Sequence, residues 1–188
     1  MPGMSDPNAP RTVVHLLRHG EVHNPDRILY GRLPDYHLSA LGRQMALLAA
    51  THLADHDITH VISSPLERAR ETAAPVAEMH RLPVSLDERA IEAANVFEGL
   101  PVAGGKGLLK HPTLLVKAWN PFRPSWGEPY VELAARMKAA IDDARDLARG
   151  HEAVIVSHQA PIWTVRCAYE GRRFLHDPRK RECTLASL

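Results

Sequence analysis

Residues 13–20 read Val-Val-His-Leu-Leu-Arg-His-Gly. The apolar part of this stretch has the length and the β-branched start of a buried strand, so we expect Arg18 and His19 to lie where a strand ends and a loop begins. Ligands of open α/β sheets bind at the carboxyl ends of the strands. A guanidinium beside an imidazole, followed by a glycine, is typical of an anion site next to a nucleophile or a base. For this triplet alone, a chance occurrence is about as good an interpretation.

Two further apolar runs end in the same manner. Residues 60–63 lead into Ser64-Pro65, which predicts an N-cap at Ser64 and a helix to about residue 79 that carries Arg68. Residues 153–157 lead directly into His158. Because the carboxyl ends of parallel strands meet at one edge of a sheet, we expect the two arginines and the two histidines to converge. Two guanidiniums offer bidentate donors to a tetrahedral dianion, so the pattern predicts a phosphate site.

A metal site is the competing use of the two histidines. The neighbouring arginines would repel a divalent cation, which argues against a metal there. We therefore expect no metal and no cofactor in this site. His56 and His60, four residues apart, are interpreted as ordinary surface histidines.

The alternation of strands and helices predicts a three-layer α/β/α sandwich with a mostly parallel central sheet. The first helix is predicted over residues 40–54, with Ser39 as its N-cap. Its predicted buried stripe consists of Leu41, Met45, Leu48, His52 and Leu53. Gly42 lowers helix propensity there, which indicates a packing or ligand reason. The remaining predicted elements are strands at residues 83–86 and 182–188 and helices at residues 129–150 and 162–169.

The length of 188 residues fits one domain, predicted over residues 11–188 after a flexible tail at residues 1–10. Residues 99–129 break the pattern but keep several aromatic side chains, including Trp119 and Trp126. Such a segment is typical of an irregular lid, which would set substrate selectivity, although a hydrophobic cluster that pins a long loop is an equal alternative.

Charge and cysteine content limit the binding partners and the cellular location that we expect for this chain. A net charge of +1 provides no overall field that favours nucleic acid or membrane, so we expect neither as a partner. The 2 cysteines do not make a disulfide framework, which favours a reducing, cytoplasmic location. No stretch has the length and apolarity of a membrane span. The oligomeric state is left open.

Several motifs together resemble the histidine phosphatase superfamily, also called the phosphoglycerate mutase-like family. Leu17-Arg18-His19-Gly20-Glu21, with Asn24 after it, resembles the family signature. Residues 63–73 and Val156-Ser157-His158 are similar to two further family motifs, and Phe97-Glu98-Gly99 resembles the Trp-Glu-Gly that follows the family's acid residue. The resemblance covers nearly the whole chain.

The resemblance implies a role for each matching residue. It makes His19 the phosphorylated nucleophile and Glu92 the proton donor, and it assigns binding of the phosphoryl group to Arg18, Arg68 and His158. Asn24 would lie at the edge of the substrate site. Gln159, next to His158, is expected to bind substrate as well. Gln159 departs from the family, which usually has Gly there. Glu92 is one residue closer to Glu98 than expected, so Glu88 and Glu98 stay alternatives for the acid.

The expected function is therefore hydrolysis of a small phosphate monoester through a phosphohistidine, without a metal. The chain lacks the length and insertions of the cofactor-dependent mutases, which favours a phosphatase. Mutase-type phosphoryl transfer and an inactive phosphoester-binding module are the alternatives.

Overall fold

The computed structural model describes residues 11–101, 127–174 and 183–187. The predicted tail at residues 1–10 and most of the predicted lid, including Trp119 and Trp126, lie outside the described residues. No helix in the described part of the chain is both long enough and apolar enough to cross a membrane.

Within the described ranges, four parallel strands form the central sheet in the order β1-β4-β2-β3. Their bounds are Val13–Arg18 for β1, Ile58–Ser63 for β2, Val84–Leu86 for β3 and Glu152–Ser157 for β4. The Ala-Val-Ile-Val run of β4 is fully buried because this strand lies between two neighbours and is covered on both faces. The carboxyl ends of β1 and β4 meet directly, since Arg18 is paired in register with Ser157.

Helices cover both faces of the sheet. They are α1 (Ala40–His52), α2 (Glu67–His80), α3 (Tyr130–Leu147) and α4 (Gln159–Tyr169), and a short 3-10 turn spans Glu88–Ala90. One apolar cluster joins α1 and α2 to the face that carries Leu17, and a second joins α3 and α4 to the face that carries Ile155. The predicted three-layer sandwich with a mostly parallel sheet is confirmed.

The predicted buried stripe of α1 is correct at Leu53, which is fully buried, but wrong at Leu41 and Leu48. Leu41 and Leu48 are 53% and 71% exposed, whereas the buried positions of this helix are Gly42, Ala46, Ala49 and Ala50. The small residues face inward because α1 packs closely against α2 and the loop after β1, and the large leucines are left on the surface. Periodicity located the helix, with Ser39 as its N-cap, but not its inward face.

Two other local predictions also fail. Helix α2 begins at Glu67 rather than beside Ser64, and its N-cap is Leu66. The Ser64 hydroxyl is hydrogen-bonded to the His158 side chain, which follows β4, and does not cap the helix. Residues 183–187 form a turn instead of a strand, although they lie against the end of β1, where Arg18 N–H donates to Ser187 O at 3.2 Å.

Candidate active site

His19 is held in the loop that leaves β1 and is only 2% exposed. Its backbone N–H donates to the Ser157 carbonyl at the end of β4. The next residue, Gly20, donates its N–H to Thr72 Oγ1 at 3.0 Å, and that hydroxyl in turn donates to the Arg68 carbonyl at 2.7 Å. The loop is thereby pinned to both β4 and α2, which fixes the position of the imidazole.

The hydrogen bonds of His19 define its tautomer. Nδ1 lies 2.8 Å from the Gly20 carbonyl, which can only accept, so Nδ1 carries the ring proton and Nε2 keeps its lone pair. Burial, with the charges of Arg68 and then Arg18 as further causes, lowers the pKa of His19 from 6.5 to about 3. The ring is neutral near pH 7, which is the state that a nitrogen nucleophile requires.

Arg68 lies at the start of α2 and is fully buried. Its Nη2 donates to the Gly31 carbonyl at 2.6 Å, and its guanidinium lies 4.7 Å from the ring centroid of Tyr30. Gly31 has a φ of +42°, and a Cβ at that position would lie 2.3 Å from Glu98 Oε1. A glycine is needed here for the backbone to present its carbonyl to Arg68.

Arg18, the last residue of β1, is anchored through the C-terminal segment. Its Nη1 donates to the Cys183 carbonyl at 2.6 Å. This contact joins residues 165 positions apart, so sequence reasoning could not have found it. It turns the guanidinium so that Arg18 lines the same cavity as His19.

His158 follows β4 and is completely buried beside His19, with ring centroids 5.1 Å apart. Its Nε2 lies 2.7 Å from Ser64 Oγ. Burial, followed by the positive charges around it, lowers the pKa of His158 well below 6.5, which makes this ring neutral as well. The two neutral imidazoles and the two guanidiniums converge as the strand ends predict.

Several buried nitrogen atoms at this convergence have no hydrogen-bond partner among the described residues. They are Arg18 Nε, Arg68 Nε, Arg68 Nη1 and His158 Nδ1. A buried polar group without a partner costs about 1–3 kcal/mol, so proteins rarely leave several of them together. A tetrahedral oxyanion would supply acceptors to such a group of donors.

A cavity of about 600 Å³ opens above His19. Its walls bring together most of the residues that the sequence analysis selected: Arg18, His19, Asn24, Glu92 and Gln159. Arg68 and His158 are buried and each contacts a wall residue: Arg68 lies against the Tyr30 ring and His158 against the His19 ring. The Asn24 side chain bonds both backbone groups of Ile28, so part of its role is to form a turn in the cavity wall.

Three glutamates compete for the role of acid, and their positions differ. Glu92 lines the cavity with His19, whereas Glu88 and Glu98 line a neighbouring cavity. Glu92 Oε1 accepts from the Ala93 N–H at 2.8 Å. This placement favours Glu92 over the two alternatives.

Sequence reasoning missed Glu128 and the two arginines that bind it. Glu128 also lines the cavity, but its carboxylate accepts from Arg136 Nε at 2.6 Å and from Arg32 Nη2 at 3.0 Å. These hydrogen bonds outweigh the effect of burial and lower the pKa of Glu128, so it is unsuited to donate a proton. The same arginines donate to the Glu92 carbonyl, Arg32 Nε at 2.6 Å and Arg136 Nη2 at 3.4 Å. No local motif marks these contacts.

A sequence profile of the histidine phosphatase superfamily, branch 1, matches residues 14–188. The chain belongs to the histidine phosphatase superfamily. The family members that resemble it carry different names. An uncharacterized protein of Mycobacterium tuberculosis, Rv0525, is 56% identical over 177 residues, which cover 94% of this chain and 88% of that protein. A probable phosphoglycerate mutase, GpmB of Yersinia enterocolitica, is 34% identical over 151 residues, which cover 77% of this chain and 68% of that protein.

A solved structure of the same superfamily gives a second functional name. Mycobacterial glucosyl-3-phosphoglycerate phosphatase, in complex with VO3, is 29% identical to this chain, with a TM-score of 0.65. The match covers 81% of this chain and 79% of that one. Histidine phosphatase superfamily membership and the phosphoglycerate mutase-like fold expected from the sequence are thus confirmed. The relatives include both a mutase and a phosphatase.

Proposed function

We propose that this protein is a phosphatase that hydrolyses a small phosphate monoester through a phosphohistidine on His19. The observation that carries the proposal is the state of His19: a neutral ring whose Nδ1–H is held by the Gly20 carbonyl, beside four buried nitrogens that have no hydrogen-bond partner in the described part of the chain. A nucleophilic nitrogen next to a set of oxyanion donors is the arrangement that in-line phosphoryl transfer requires.

In the proposed first step, His19 Nε2 attacks phosphorus and the bond to the leaving oxygen breaks. The ring gains positive charge, which the Gly20 carbonyl stabilises through Nδ1–H. Arg18 and Arg68 donate to the phosphoryl oxygens and stabilise the transition state electrostatically. Ser64 Oγ accepts weakly from the Leu66 N–H at 3.4 Å, which supports donation of its own hydrogen to His158 Nε2. His158 Nδ1 then carries the ring proton and is a further phosphoryl donor.

Glu92 is the proposed proton donor. It protonates the leaving alkoxide in the first step and takes a proton from water in the second, in which water attacks the phosphohistidine and releases inorganic phosphate. Its place in the wall of the His19 cavity supports this role. Asn24 and Gln159 are proposed to contact the rest of the substrate from the same walls. The two arginines supply the positive charge, and we propose that catalysis needs no metal.

The runner-up activity is mutase-type phosphoryl transfer, which the 34% identity to a probable phosphoglycerate mutase favours. It shares the first step but returns the phosphoryl group to a substrate hydroxyl rather than to water. An inactive phosphoester-binding module is the second alternative. The full set of His19, Arg18, Arg68 and His158 argues against it.

The proposal is tested by trapping the intermediate. Purified protein is mixed with a ³²P-labelled phosphate monoester and quenched, and the label should be acid-labile, alkali-stable and located on His19. His19→Ala should abolish label and turnover while keeping the wild-type circular dichroism, and His37→Ala, at an exposed histidine, should retain both. Label on another residue, or turnover by His19→Ala, would refute the nucleophile assignment.

A substrate panel separates the two activities and tests metal independence. Sugar phosphates, phosphoglycerates and nucleotides are assayed for released phosphate and for isomerised ester. Phosphate release with at least one panel member, unchanged by EDTA, supports the phosphatase. Isomerisation without release would favour the mutase, and loss of turnover on chelation that Zn²⁺ or Mg²⁺ restores would show that the reaction needs a metal.

We also propose a reducing, cytoplasmic location. Cys167 and Cys183 are both buried and free, as expected of a protein kept in a reducing compartment. Cell fractionation followed by immunodetection checks this proposal, and recovery in a secreted or periplasmic fraction would contradict it.

A further inference from the structure

A second cluster of chemically capable side chains lies at the opposite end of the sheet from His19. Glu152 is the first residue of β4, the strand that lies between β1 and β2. His15 Nε2, from β1, lies 2.5 Å from Glu152 Oε2. His56 Nδ1, from the segment that leads into β2, lies 2.8 Å from the same oxygen. Two imidazoles therefore converge on a single oxygen of one carboxylate.

The cluster is partly shielded from solvent and is held by its surroundings. The side chains of His15, Glu152 and His56 are 15%, 23% and 36% exposed. The two imidazole rings are nearly perpendicular, at 87°, with their centroids 5.2 Å apart. The β2–β4 pairing is irregular between Ile58 and His60, opposite Glu152, where Thr59 Oγ1 donates to the Glu152 carbonyl at 3.3 Å. Irregularities of this kind often occur where a strand aims a side chain at a site.

The donor set points to one class of ligand. One ligand atom from each of the three residues lies within 4.8 Å of the other two. Two imidazole nitrogens with one carboxylate oxygen are a set that Zn²⁺ binds with three protein ligands, whereas Ca²⁺ and Mg²⁺ prefer oxygen. Among the described residues, Glu152 forms ion pairs with these two histidines alone, so no lysine or arginine competes for its charge.

We propose that His15, His56 and Glu152 bind a divalent transition-metal ion such as Zn²⁺. The ion would take the place of the hydrogens that now join the imidazoles to Glu152, with lone pairs of His15 Nε2 and His56 Nδ1 directed at it. It would tie β1, β4 and the segment before β2 together. His52, whose ring centroid lies 6.0 Å from that of His56, is a candidate for a further ligand. This site is independent of the proposed phosphatase activity.

The test is a zinc titration of the full chain, freed of metal by EDTA and desalting. Isothermal titration calorimetry should show one saturable equivalent, and Zn²⁺ should raise the thermal midpoint of unfolding, because a ligand of the native state stabilises it. His15→Gln, His56→Gln and Glu152→Gln should each weaken binding at least about tenfold, the lower end of the cost of losing even an outer-shell partner. Co²⁺ in place of Zn²⁺ should give visible absorption bands that these variants lose.

The matched control is His151→Gln. His151 Nδ1 forms a pair with Asp57 Oδ2 at 2.7 Å, so it is a histidine–carboxylate contact without the second imidazole. The His151→Gln variant should bind zinc with the same affinity as the wild type. His56 is the most exposed of the three ligands, so His56→Gln keeps the test decisive if the other variants fold poorly. Absence of a saturable site, or equal weakening by His151→Gln and His56→Gln, would overturn the proposal. Turnover of an aryl phosphate by His56→Gln should equal that of the wild type.

Discussion

Gly20 and Gly42 meet backbone to backbone. A Cβ on Gly20 would lie 2.5 Å from the Gly42 carbonyl oxygen, and a Cβ on Gly42 would lie 2.0 Å from the Glu21 carbonyl oxygen. Ser39 reinforces the contact, because its N–H donates to the Glu21 carbonyl at 2.9 Å while its hydroxyl caps α1. The loop that carries His19 thus rests directly on the first turn of α1, which is the packing reason for a glycine inside that helix.

Replacement of Gly42 by alanine separates helix propensity from packing. Propensity alone predicts that Gly42→Ala stabilises the protein by about 1 kcal/mol. The collision with Glu21 predicts destabilisation of about 1–3 kcal/mol, as overpacking usually gives, and reduced turnover because the His19 loop is displaced. Urea unfolding of the wild type and of Gly42→Ala shows whether the substitution raises or lowers the free energy of unfolding. Leu47→Ala, at an exposed position of the same helix, is the control, and an unchanged or raised midpoint for Gly42→Ala would contradict the packing argument.

The buried neutral state of His19 should make stability depend on pH. Its folded-state pKa of about 3 lies below the unfolded value of 6.5, so its stabilising contribution is full above pH 6.5 and declines as the pH falls toward 3. Between pH 7 and pH 5, the wild type should lose roughly 1–2 kcal/mol more unfolding free energy than His19→Asn.

Urea unfolding of both proteins across this pH range, in phosphate-free buffer, gives the difference. His37→Asn is a control of opposite sign, because the hydrogen bond to Glu71 raises the pKa of His37 and its stabilising contribution is present at acidic pH. Parallel pH profiles for wild type and His19→Asn would show that His19 is not held neutral.

The proton-donor role of Glu92 should appear only with poor leaving groups. An alkyl ester departs as a basic alkoxide, whereas p-nitrophenolate needs no proton. Glu92→Gln should therefore slow alkyl phosphates by roughly 10²–10⁴-fold but leave the p-nitrophenol burst nearly intact. Stopped-flow and steady-state rates on both esters measure this. Glu88→Gln and Glu98→Gln are the controls, and a leaving-group-dependent loss in either, with a normal Glu92→Gln, would move the acid to that residue.

Arg32 should act as a positioning residue for Glu92. Its Nε bonds the Glu92 carbonyl and its Nη2 bonds Glu128, a two-armed contact that lysine cannot reproduce. Arg32→Lys should slow alkyl phosphates by roughly ten- to a hundredfold, the scale of a 1 Å misplacement, with little effect on the p-nitrophenol burst.

A double variant tests whether Arg32 acts through Glu92. In a Glu92→Gln background, Arg32→Lys should cause no further loss of turnover with alkyl phosphates. The control is Arg43→Lys: Arg43 forms an exposed ion pair with Glu71 at 3.9 Å, and this variant should behave as the wild type does. Independent, multiplicative losses would mean that Arg32 only supports the fold.

The sequence by itself determined the layers, the parallel strands and the edge of the sheet at which the candidate site residues lie. Strand ends at Arg18, Ser63 and Ser157 must meet in a parallel sheet, so the convergence of both arginines and both histidines follows from local patterns and topology. Ala69, Ala73 and Val76 of α2 are spaced four and three residues apart, which places apolar side chains on one face of a helix. These residues are buried, so the inward face of α2 could be predicted from the sequence.

Only the tertiary structure decided which face of α1 is buried, which glutamate lines the cavity and where Ser64 bonds. It also brought Arg32, Glu128 and Arg136 to the site, and it placed His15 and His56 on Glu152, although His56 reads as a surface residue in sequence. The hydrogen bonds from Arg32 to Glu92, between Ser64 and His158, and from both histidines to Glu152 join residues 60 to 137 positions apart. Local periodicity and capping record the conformation of neighbouring residues, whereas such long-range pairs exist only after the elements have packed.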